Sequence, residues 1–106
     1  MRTTDITSAM DLAREVVEDE LRRQNPALPA LTSHTTFESC ALQNGPRFPW
    51  NIRWNIGETL GNAYKFSLEQ RQQLHVSISQ FMERSIYVDH LVRNIAGEIH
   101  MLTVTG

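Results

Sequence analysis

The sequence predicts an α+β fold: an N-terminal helix, a three-stranded antiparallel sheet with a hairpin at Asn44-Gly45, and a long C-terminal helix, paired as a homodimer. Three observations lead there. Apolar residues recur at three- and four-residue steps near both ends of the chain, which is helical spacing. Between them Phe48, Trp50, Ile52, Trp54 and Ile56 take every second position of RFPWNIRWNIG, the period of a half-buried strand. The C-terminal seam is also longer than such a sheet can cover, so it calls for a second subunit.

The first helix is expected over 5–24. Ile6, Met10, Ala13, Val17 and Leu21 form its apolar stripe, and Asp5 is a suitable N-cap. Its outer face carries Arg14, Glu15, Glu18, Asp19, Arg22 and Arg23, with Glu18 to Arg22 and Asp19 to Arg23 at the favourable four-residue spacing. Asn25-Pro26 stops it, and 25–33 reads as an extended, proline-stiffened linker.

The sheet is expected over 35–66. Asn-Gly between two strand-like segments is the strongest short hairpin signal, because both residues tolerate the positive φ of a type I′ turn. Closing the hairpin there pairs Ala41 with Phe48, Ser39 with Trp50, Phe37 with Ile52 and Thr35 with Trp54, and keeps Glu38 off the tryptophan face. Leu60, Tyr64 and Phe66 share the parity of a third strand. A rival reading makes Pro49 to Ile56 a short helix, with proline at its first position and Gly57 just past its end. The strand is preferred, since the helix would point Ile52 and Ile56 away from the tryptophans and leave no polar side.

Ser67 followed by Gln70 is a capping-box pattern opening a helix over 68–96 or longer. Leu74, Ile78, Phe81, Ser85, Val88, Val92, Ile95, Ile99 and Leu102 step by four and three without a break, and Ser85 is the only polar member. A strand of eight to ten residues reaches about 30 Å, whereas a helix from Leu68 to Leu102 reaches about 50 Å. Val88, Leu91, Val92, Ile95 and Ile99 therefore become the expected dimer interface. The alternative is a break near Ser85 or Asp89 that folds a second helix back.

At 106 residues the chain is read as a single domain, and its net charge of −2 is spread without a basic arm or acidic tail. One cysteine, Cys40, excludes an internal disulfide, and the charged N-terminal helix lacks the apolar stretch of a signal peptide. A cytoplasmic location is expected, with no membrane as partner. His34, His75, His90 and His100 show no metal-pair spacing, no glycine loop cradles a phosphate, and the carboxylates Glu38, Glu58 and Glu69 are scattered. No enzyme, metal or cofactor is expected.

The partner-binding candidates are Asn51, Arg53 and Asn55, a row of amide and guanidinium groups on the polar sheet face, extended by Arg47 and Lys65. The expected function is a small intracellular protein-interaction module, regulatory or adaptor-like, that binds a protein partner as a homodimer. Helix, three strands, helix also resembles the topology of the double-stranded RNA-binding domain, which makes nucleic-acid binding the alternative. That family grips phosphates with lysines at the start of its last helix, and the matching stretch SLEQRQQ offers Glu69 and a single Arg71.

Overall fold

The computed structural model describes residues 6–24, 50–85 and 87–105. Helices account for 92% of these residues and no strand is present among them, which overturns the α+β reading. The described residues form a bundle of four helices: α1 (Ile6–Gln24), α2 (Trp50–Ala63), α3 (Leu68–Arg84) and α4 (Val88–Thr105). Each packs on two neighbours in the cyclic order α1, α2, α3, α4, closing around one core. The expected N-cap Asp5, the 25–33 linker, the first hairpin strand, the Asn44-Gly45 turn and Arg47 lie outside the described residues.

α1 follows its spacing, burying Ala13, Val17 and Leu21 together with Ala9, while Ile6 stays on the surface. Asp19 pairs with Arg23 at 3.0 Å, but Glu18 accepts from Arg14 on the preceding turn at 3.1 Å instead of from Arg22. Arg14 also pairs with Asp89 at the start of α4. Asp89 raises the Arg14 pKa, burial opposes the rise and Glu18 adds to it.

The second strand of the expected sheet is α2. Ile52, Ile56 and Leu60 enter the core at four-residue steps, so a period of four was hidden inside the alternation of two. Trp50 and Trp54 lie two residues out of phase with them, a little over half a helical turn away, and remain outside the core. The third strand is corrected as well. Leu60 belongs to α2, and Phe66 closes its end: the Phe66 N–H donates to Gly61 O and the Lys65 N–H to Asn62 O, a Schellman motif. Lys65 takes the left-handed position at φ 56°, and Phe66 folds back beside Tyr64 at 5.8 Å between ring centroids. Burial pushes the Tyr64 hydroxyl pKa up.

α3 opens on the capping box. Ser67 Oγ accepts from the Gln70 N–H at 3.2 Å and Gln70 Oε1 from the Ser67 N–H at 2.8 Å. The single long helix is corrected to two. α3 ends at Ser85, whose N–H donates to Phe81 O while its backbone turns extended at φ −87° and ψ 131°. An unbroken helix over 68–105 would be roughly 57 Å long, whereas the longest dimension of the molecule is 37 Å. α4 folds back antiparallel to α3, and Gln70 Nε2 reaches Leu102 O at 3.1 Å.

This places Val88, Leu91, Val92, Ile95 and Ile99 in the core of the chain itself, all but sealed from solvent between α1 and α3. The geometric premise for a second subunit, an apolar half-helix left uncovered, is gone. Among the described residues no helix is long and apolar enough to cross a membrane.

One position in α4 is under-used. A Cβ at Gly97 would meet nothing within 4 Å, so Gly97→Ala is expected to raise stability by about 0.5–1 kcal/mol through helix propensity, read as a higher urea midpoint with an unchanged slope.

Candidate functional site

Trp50, Trp54, Gly57, Glu58 and Gly61 follow one another up the side of α2 at steps of four, three, one and three. Across from them α3 presents His75 and, one turn nearer its start, Arg71. The helices run antiparallel, so Gly57 meets His75 and Gly61 meets Arg71. A Cβ at Gly57 would lie 2.4 Å from His75 Nδ1 and 2.5 Å from Cε1, and one at Gly61 would lie 2.7 Å from Arg71 Nη1. Only the absence of a side chain lets the imidazole edge and the guanidinium approach the α2 backbone this closely.

The seated imidazole organises the rest. Its Nε2 is 2.8 Å from Glu58 Oε2, and its ring lies face to face with Trp54, centroids 4.4 Å apart and planes within 5°. Trp50 stacks on Trp54 at 5.2 Å and 19°, giving a ladder of three rings, Trp50, Trp54 and His75. Such stacks contribute about 0.5–1.5 kcal/mol per ring pair beyond area burial. Arg71 braces the lower end: its Nε donates to Phe66 O at 3.1 Å, and its Nη1 stands 3.8 Å from Glu58 Oε1.

The arrangement fixes side chains and leaves little for chemistry. Glu58 holds Nε2 of His75, Trp54 covers one ring face, and the Nδ1 edge lies over Gly57, so the imidazole has no nitrogen aimed at an incoming substrate. A groove of about 510 Å³ between the start of α3 and the end of α4 is lined by Ser67, Glu69, Gln70, Gln73, Leu102 and Thr105. One carboxylate among amides and hydroxyls supplies no acid–base pair. Among the described residues no group of three or more His, Cys, Asp or Glu could hold a metal ion. His34 and Cys40 lie outside them.

The row of Asn51, Arg53 and Asn55 is split by the helix. Asn51 is exposed, and Asn55, one turn on, donates from Nδ2 to Glu20 Oε2 at 3.1 Å. Glu20 is a buried carboxylate, 4% exposed, that also accepts from Arg23 at 3.0 Å, so Asn55 ties α2 to α1. Arg53 projects on the far side of the helix, half-buried, and its Nε finds no hydrogen-bond partner among the described residues. Lys65 sits apart in the turn after α2. The ladder itself carries a readable signal only once α2 is taken as helical: Trp50 and Trp54, Gly57 and Gly61, and Arg71 and His75 are all four residues apart.

Compared with protein-family models, curated proteins and solved structures, the chain matches none.

Proposed function

We propose that this chain is a small protein-interaction module, regulatory or adaptor-like, whose contact surface is the Trp50–Trp54 end of the α2–α3 ladder. The observation that carries the reading is that both tryptophans of the chain lie outside its core, Trp50 at 63% and Trp54 at 41% exposure. Tryptophan is the residue most enriched among the anchors of protein interfaces, and an indole that is ordered before binding loses less side-chain entropy on binding. Stacking on His75, itself held by Glu58, supplies that order. Of the residues singled out from the sequence, exposed Asn51 belongs to the rim of this surface, whereas Asn55 ties α2 to α1 through Glu20.

A cytoplasmic setting fits a chain whose one cysteine is Cys40. The nucleic-acid alternative loses the topology that suggested it. Base-stacking indoles also need a positively charged groove beside them, and the net charge is −2.

Trp50→Ala and Trp54→Ala test the reading. The tagged full chain and the double variant are used as baits in extracts of the native cell, with and without nuclease. The variants are expected to keep an intact helical bundle and to lose a set of proteins that the unaltered chain retains. Identical sets would overturn the proposal, and capture abolished by nuclease would replace it with the nucleic-acid reading.

A further inference from the structure

We infer that α4 can exchange between two copies of this chain, the α3–α4 corner straightening into one helix so that each α4 docks on the α1 of the other copy. The phase of the apolar seam is the first ground. Leu74 and Ile78 of α3 and Val88, Val92, Ile95 and Ile99 of α4 are buried in the same core, and the steps of four and three that relate them run on through Phe81 and Ser85 without a slip. A helical hairpin imposes no such register across its corner. A straight helix would present all of these residues on one stripe.

The corner is the second ground. Between the end of α3 and the start of α4 the sequence has neither glycine nor proline. Helical hydrogen bonding stops with the Ser85 N–H on Phe81 O and resumes with the Leu91 N–H on Tyr87 O. Straightening would carry the helical hydrogen-bond ladder through the corner and remove two helix ends at once. Short hinge loops between packed elements invite domain swapping.

The occupant follows from the surface that α4 leaves. Ala9, Ala13, Val17 and Leu21 of α1, with Arg14 placed for Asp89, form a groove shaped for this α4, and a second copy supplies an identical one. The exchange restores every contact except those of the corner, and it leaves the α2–α3 ladder in place. It therefore stands apart from the function proposed above.

The full chain is refolded from urea at millimolar and at micromolar concentration and weighed by light scattering. The expected result is a dimer at the higher concentration that outlasts dilution. Ser85→Leu, which completes the seam, should enrich it, and a Gly-Gly-Ser insertion after Ser85 should return the chain to monomer. For the path of the chain, Arg14→Cys and Asp89→Cys are placed in separate molecules that also carry Cys40→Ser. Refolded together and treated with a short bis-maleimide, they should yield a covalent heterodimer. A chain that stays monomeric at millimolar concentration overturns the inference. So does a dimer that ignores the insertion or gives no cross-link between molecules.

Discussion

Ile95→Ala is expected to lower the unfolding free energy of the isolated chain by about 2–5 kcal/mol, a large part of the roughly 5–15 kcal/mol that a domain of this size holds. Ile95 has no exposed surface and sits in the middle of α4, walled by α1 and α3. Cutting its side chain back to a methyl removes buried methylenes and leaves a cavity that four packed helices can close only in part. The urea midpoint should fall with little change in slope, since the surface exposed on unfolding is nearly the same. Met101→Ala, on the outside of the same helix at 60% exposure, should stay within about 0.5 kcal/mol. The decisive readout is concentration. If the chain covers Ile95 with its own α1, the Ile95→Ala penalty at micromolar protein is the same at every dilution. Were Ile95 part of a face shared with a second chain, both midpoints would rise with concentration by mass action.

What could be read from the sequence follows from how many physical demands agreed at each residue. α1 combines an apolar stripe with charges on the opposite face, and Ala13, Val17 and Leu21 of that stripe are buried. Ser67 and Gln70 carried a local, reciprocal hydrogen-bond pattern that needs no tertiary context. α2 could not be read because two periods coincide on it. Ile52 and Ile56 belong equally to a two-residue and a four-residue repeat, and the deciding residue, Leu60, lies beyond Gly57, which looked like a terminator. The glycines interrupt nothing; they mark where α3 crosses. With tryptophan as core, Trp50 and Trp54 share the side of Ile52, which favours the strand. The seam through 74–102 was real, but spacing alone cannot tell a straight helix from a hairpin that keeps its phase, and Ser85, its one polar member, was the sign of the corner. The candidate site was legible only in pieces, because Gly57 and His75 are 18 residues apart in sequence and become partners only when α2 and α3 pack.

Gly57→Ala is expected to destabilise the bundle, against the direction that helix propensity alone dictates. Inside a helix, alanine is better than glycine by about 1 kcal/mol, which is the whole effect expected at open Gly97. At Gly57 the new methyl would stand 2.4 Å from an imidazole nitrogen. The ring cannot simply step aside, because Trp54 lies against its face and Glu58 holds its Nε2. Either α2 and α3 separate or His75 leaves its seat and breaks both contacts. Overpacking of this kind costs about 1–3 kcal/mol, so the net change should be a loss of up to about 2 kcal/mol once propensity is credited. A change in tryptophan fluorescence should accompany it, as Trp54 loses the ring stacked on it. The mechanism is isolated by repeating the substitution in a His75→Ala background. With the imidazole gone the methyl has room, and Gly57→Ala should then stabilise by about 0.5–1 kcal/mol, reversing sign. Equal effects of Gly57→Ala in the two backgrounds would mean that His75 does not fill the space over Gly57. The ladder would then lose its foundation, and with it the ordered pair of indoles on which the proposed contact surface rests.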